Sequence, residues 1–340
     1  MTSTPASSKQ AAKVLDLVES LQSRFVQSLE KLGGEPFHDS EWFRDEGRHG
    51  GGQRFGVADT HLFGRASVNV SQVHYDDEPE RKLGSASAIS TIVHPSRPKA
   101  PSVHIHISWT EMKSGTGYWR IMADLNPSIP NEVYKARFVD ALREAATKLF
   151  NVAVEQGDRY FFIPALARHR GVAHFYLENH NTGDFEADYA FAQQVGEAAI
   201  DTYVQLLEES MSVELQPSGE DLAAQLAYHT LYFFQVLTLD RGTTTGLLVH
   251  NQNDVGILGS LPPKIDKNLL SSWRSRMIDP QDRLLDKLLL ALPNTGTCIV
   301  DDATKEKLAE AVRSHYQKYP DALELQASGN STPPTIENHR

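Results

Sequence analysis

Four stretches of the chain alternate apolar and polar residues by twos: roughly residues 53–63 and 66–74, then Ser102-Val-His-Ile-His-Ile-Ser-Trp109 and Gly117-Tyr-Trp-Arg-Ile-Met-Ala123. That period marks half-buried β-strands, and the glycine-containing turn between the last two makes them an antiparallel hairpin. Strands that follow one another without crossover helices argue against a doubly wound parallel sheet and point to an α+β fold built on an antiparallel one.

Helical spacing occupies other regions. Val14, Leu15, Val18, Leu21, Phe25, Leu29 and Leu32 recur at intervals of three and four before Gly33-Gly34, so residues 9–32 form an amphipathic helix. The same spacing predicts helices over 131–155, 184–209, 280–292 and 302–317. Val172-Ala-His-Phe-Tyr-Leu177 reads as a short strand. Residues 230–238 and 244–249 read as a further strand pair around Asp240-Arg-Gly242, and 255–260 as another strand reached through His250-Asn-Gln-Asn-Asp254, all joining the same sheet. Gly50-Gly-Gly52 is loop material at a hairpin entry. A length of 340 residues admits two domains or one large one; one domain is expected over 1–326, followed by a disordered, Ser-, Thr-, Pro- and Asn-rich tail over 327–340.

The formal charge of -11 has the wrong sign for neutralising a phosphate backbone, which argues against a nucleic-acid partner. It leaves room for a small anion gripped by locally gathered arginines. Cys298 is the single cysteine, so an internal disulfide and any multi-cysteine metal site are excluded, as suits a reducing compartment. The N-terminal segment carries no apolar signal region and no run approaches membrane-spanning length, so the expectation is a cytoplasmic protein without a membrane span. A serine nucleophile elbow, a phosphate-cradling glycine loop and a dinucleotide fingerprint are all missing.

Chemistry concentrates around His94, His104, His106 and Asp124. His104 and His106 share one strand face, because side chains alternate. They are either solvated surface residues or part of a site, imidazole being able to donate, accept or ligate near neutrality. His104-Ile-His106 with Glu111 partly resembles the cupin metal motif, although Pro98 stands where its leading glycine belongs. Arginines supply the second feature: Arg168 and Arg170 before the strand at 172–177, Arg241 after Asp240, and Arg54, Arg65 and Arg120 in or beside strands. Gathered on one face they would receive a polycarboxylate; scattered, they are ordinary surface ion pairs.

In order, the segments Gly50-Gly-Gly-Gln-Arg54, Ala66-Ser-Val-Asn-Val-Ser71, Ser90-Thr-Ile-Val-His-Pro95, Ser102-Val-His104, Asp124-Leu-Asn-Pro127, Tyr160-Phe-Phe-Ile163 with Arg170-Gly171, Gly183-Asp184-Phe185, Leu239-Asp-Arg-Gly-Thr243 and Ser260-Leu-Pro-Pro263 resemble the oxygen-dependent coproporphyrinogen III oxidase family. The resemblance implies a large antiparallel sheet flanked by helices on both faces, usually in a homodimer. It implies an oxidoreductase of haem biosynthesis that converts two propionates of coproporphyrinogen III to vinyl groups, giving protoporphyrinogen IX with loss of carbon dioxide. Molecular oxygen is the oxidant, with no organic cofactor or metal. By the same resemblance Asp240 accepts pyrrole N–H groups and Arg241 holds it or a propionate. His104 donates a proton, Asp124 is an acid of the hairpin, Ser90 and His94 lie near the substrate and Arg170 binds a propionate; His106 and Arg168 are expected as further substrate contacts of this chain's own. The chain departs from the family at Ser108, where an arginine is expected, and at His250-Asn-Gln-Asn253, where a glycine-glycine-arginine turn is expected. Arg168, His106 or Arg137 could compensate.

Overall fold

A computed structural model describes residues 2–213, 216–250, 253–330 and 337–338. The chain runs α1 (Lys9–Gly33), β1 (His38–Phe43), β2 (Gly50–Ala58), β3 (Phe63–His74), β4 (Leu83–Pro95), β5 (Ser102–Met112) and β6 (Gly117–Asn126). Next come α2 (Glu132–Ala146), α3 (Phe150–Phe161), the short strands β7 (Phe162–Ile163) and β8 (Arg168–His169), β9 (Ala173–His180) and α4 (Phe185–Val213). The last third holds α5 (Gly219–Thr238), α6 (Arg241–Val249), α7 (Asp254–Ile257), β10 (Lys264–Asp266), α8 (Lys267–Ser272), α9 (Gln281–Ala291), β11 (Thr297–Ile299) and α10 (Asp302–Lys318).

One seven-stranded sheet, ordered β1-β2-β3-β4-β5-β6-β9, is antiparallel throughout. Alternation along its strands gives two unlike faces. Val68, Val70, Ile89, Val103, Ile105, Ile107, Ile121 and Ala123 point to one side, where α1, α2 and α4 bury them. α1 starts on the Ser8 hydroxyl, which accepts the Ala11 N–H, and stops at Gly34, whose φ of 71° needs a glycine. The opposite face is polar, and the second core, formed by α5, α8, α9 and α10, is laid over it. The result is α+β, with helices on both faces of an antiparallel sheet.

Several local expectations are corrected. Residues 230–238 and 244–249 are the helices α5 and α6, and 255–260 is α7 followed by a 3-10 turn. Tyr228 through Thr238 is buried on every side, and a uniformly buried helix leaves no helical stripe to read. The stretch 131–155 breaks at Thr147 into α2 and α3. Within the expected tail, Ala327 N–H donates to Leu239 O (3.0 Å), and Gly329 and Asn330 N–H groups donate to the buried Glu178 carboxylate (2.9 Å each). These residues are docked against the body, whereas 331–336 and 339–340 lie outside the described residues.

Candidate active site

Register builds the floor of a cavity on the polar face. One cross-strand row runs Ser67, Ile92, His104, Asp124 and His174; the next runs Arg54, Asn69, Ser90, His106, Met122 and Tyr176; a third runs Ser71, Ala88, Ser108 and Arg120. Residues of α3, α5, α6 and α7 roof this floor, leaving about 1030 Å³ of empty space including the mouth. His104, His106, Arg120, Arg170 and Asp240 all line it.

The first polar chain is Arg170–Asp124–His104. Asp124, fully buried, accepts from Arg170 Nη2 (2.9 Å), from Asn126 Nδ2 (2.6 Å) and from His104 Nδ1 (2.9 Å). Burial pushes the Asp124 carboxyl up, but the Arg170 charge and the His104 and Asn126 hydrogen bonds outweigh it and hold the pKa below the usual carboxylate value. An ionised Asp124 keeps the proton of His104 on Nδ1 and leaves Nε2 on the cavity side. Arg170 is clamped between the Phe161 and Tyr232 rings, 4.7 Å from each centroid, while its Nη1 has no hydrogen-bond partner.

The second chain is Tyr160–Asp240. Asp240 caps α6: Oδ1 accepts the Thr243 N–H (2.6 Å) and Oδ2 accepts the Tyr160 hydroxyl (2.7 Å). Burial again raises this carboxyl, and the Tyr160 and Thr243 bonds reverse it, so Asp240 is an anion inside the cavity. Burial, with Arg120 and His104 adding to it against Asp240, pushes His106 down to about 3; its Nε2 faces the Ser108 hydroxyl at 3.0 Å. His106 is therefore a neutral hydrogen-bonding group.

Ser90, His104, His106, Arg170 and Asp240 meet in the cavity wall, with Asp124 directly behind His104. Three expected contacts do not. His94 sits beneath α5 against Tyr232 and His229, its ring nitrogens facing Ser260 O (3.1 Å) and the Ser102 hydroxyl (3.3 Å). Arg241, the residue after the cap, turns away to the Leu323 carbonyl (3.4 Å). Arg168 is exposed on the β7–β8 hairpin. Arg137 pairs with Glu209 on the outer surface of α2 and α4, so it compensates for nothing in the cavity. Sequence reasoning missed the placement of Arg120 and Tyr160. For Arg120 the signal was present, since it is the register partner of Ser108 in the predicted hairpin. The cupin reading fails on parity: Glu111 lies on the face opposite His104 and His106 and accepts from Ser8 Oγ (2.6 Å). Among the described residues the cluster with metal-like spacing is His49, Asp77 and Glu78, outside this cavity.

An antiparallel sheet roofed by helices over a hollow holding a carboxylate anion, an oriented imidazole and guanidinium groups defines a protein that receives a polar, acid-bearing small molecule and can move protons on it. The chain belongs to the coproporphyrinogen III oxidase family, whose sequence profile matches residues 13–274. It is 30% identical over 243 residues, 67% of this chain and 84% of the relative, to the oxygen-dependent coproporphyrinogen-III oxidase of Rickettsia bellii. Identity to the Rickettsia akari protein of the same name is 28%, covering 74% and 91% of the two chains. The human mitochondrial oxygen-dependent coproporphyrinogen-III oxidase is 27% identical, covering 72% of this chain and 59% of the human one.

Proposed function

We propose that this chain is an oxidoreductase that converts coproporphyrinogen III to protoporphyrinogen IX in haem biosynthesis, each of two propionates losing carbon dioxide to become a vinyl group while oxygen is reduced. Family membership supports the reaction, and the observation that carries it into this chain is the convergence of Asp240 and His104 on one cavity. Asp240, anionic and immobilised, is placed to accept pyrrole N–H groups and to stabilise positive charge developing on the ring during oxidation, the kind of preorganised interaction worth several kcal/mol in a dry site. His104, fixed through Nδ1, presents Nε2 for proton transfer at the substrate.

The porphyrinogen is itself electron-rich, so the proposal assigns the electrons for oxygen to the substrate and calls for no organic cofactor or metal. It also includes a homodimer, on the strength of the family resemblance, and a cytoplasmic location, as the N-terminal sequence suggests; among the described residues no helix is long and apolar enough to cross a membrane. Aerobic incubation with coproporphyrinogen III, then chromatography of the oxidised porphyrins, tests the reading. A dicarboxylic divinyl product from metal-stripped protein is expected; unchanged tetracarboxylate overturns turnover, and tight binding without product makes the chain a carrier.

A further inference from the structure

Arg170, Arg65, Arg54 and Arg120 stand on the polar face of the sheet. Arg170 is paired with Asp124, Arg65 is tied to the carbonyls of Leu261 (2.9 Å) and Val300 (3.1 Å), and Arg54 lies in an adjoining hollow, where the Asp302 carboxylate acts on its charge. Arg120 lines the cavity itself and is different. It makes no ion pair or hydrogen bond among the described residues, and its Nε is buried without a partner.

Arg120 is nevertheless held in place. Its Nη1 lies 3.9 Å from the point where a Cβ would stand on Gly242, and Asp240 Oδ1 lies 3.4 Å from that same point, so guanidinium and carboxylate flank one gap without closing it. Beside it the floor is neutral and hydrogen-bonding, with Asn69, Ser90 and His106 in the next cross-strand row.

A guanidinium left unpaired in a desolvated wall is unfavourable until an anion reaches it, and one standing beside a neutral, hydrogen-bonding floor fits a flat molecule with an acid arm at its edge. We propose that Arg120 is the carboxylate clamp of this cavity, taking the acid arm beside the pyrrole that Asp240 engages. This assignment rests on the tetrapyrrole reading above and specifies which residue selects the acid arm.

Fluorescence titration with coproporphyrin III, the unreactive oxidised tetra-acid, and with its tetramethyl ester tests the clamp alongside turnover of coproporphyrinogen III. Wild type is expected to prefer the acid; Arg120→Gln should weaken acid binding at least tenfold and raise KM, with ester binding unchanged. Arg120→Lys, which keeps the charge, should recover most of the loss. Wild-type acid affinity and acid-to-ester ratio in the glutamine variant overturns the clamp while leaving the activity standing, and a lysine variant no better than the glutamine one overturns charge as its basis. A wild type that neither binds the acid nor turns over the porphyrinogen sinks the tetrapyrrole reading and the clamp together.

Discussion

Replacing Asp124 by Asn removes the negative member of a fully buried pair and leaves everything else nearly isosteric. Arg170, 2% exposed, then keeps its charge against an amide. Breaking a buried pair from one side costs about 3–5 kcal/mol, and the two ring contacts of Arg170 retain about 2 kcal/mol of its stabilisation in either case, so the expected loss is at the low end, about 3 kcal/mol. In a chain of this size that is a fall in Tm of about 6 °C. The effect has a pH signature. The folded carboxyl titrates below its unfolded value near 3.9, so its contribution is complete above about pH 5 and vanishes as pH falls through the folded pKa; the gap between wild type and variant should close in acid. An amide that donates to His104 Nδ1 also shifts the ring proton to Nε2, and turnover should drop by at least about a hundredfold. Urea unfolding at several pH values and porphyrin chromatography supply the readouts. The double variant Asp124→Leu with Arg170→Met should be more stable than Asp124→Asn alone. An Asp124→Asn protein within about 0.5 kcal/mol of wild type and fully active would refute the relay.

Asp240→Asn retains a side chain that caps α6, so stability should stay within about 1 kcal/mol while turnover falls more than about tenfold; calorimetry and product assays separate the two. His106 titrates at about 3 in the fold, against about 6.5 unfolded, so its imidazole NMR shifts should be flat from pH 5 to 8 and its contribution to stability should decline as pH falls below 6.5; a midpoint near 6.5 contradicts the buried placement. Gly171→Ala forces a Cβ at φ 78° to within 2.7 Å of Asn126 Oδ1 and 2.9 Å of Leu125 O, so denaturation should show at least about 1 kcal/mol of destabilisation, with activity lost as Asn126 pushes on Asp124. Arg137→Gln, a surface pair, should leave turnover within about twofold.

The strands carrying His104, His106 and Asp124 were legible because alternation against an apolar face is a strong local pattern, and their parity already put both histidines on one side. β4 was not: its first half, Gly84–Ala88, is made of Gly, Ser and Ala, residues with little strand preference. α5 was misread for the opposite reason, an apolar run with no polar face, although Ser218 and Asp221 form a capping box that marks its start. Asp240 was legible as a chemical residue only through the resemblance, since nothing local says that a helix cap will sit under Tyr160. The placement of Arg170, Arg168 and Arg241 could not be read, because whether an arginine turns inward depends on partners such as Asp124 that are distant in sequence. Arg120 was the accessible miss: pairing Trp109 with Trp119 across the predicted hairpin sets it opposite Ser108.

Coproporphyrinogen III labelled in its propionate carboxyl groups, incubated in air with wild type and with Asp240→Asn, tests the central claim most directly, by counting labelled carbon dioxide released against oxygen consumed. Release of two labelled carbons per substrate by the wild type, coupled to oxygen uptake and all but abolished in the variant, is the predicted result. Release at wild-type rate from the variant, or none from either protein, contradicts it.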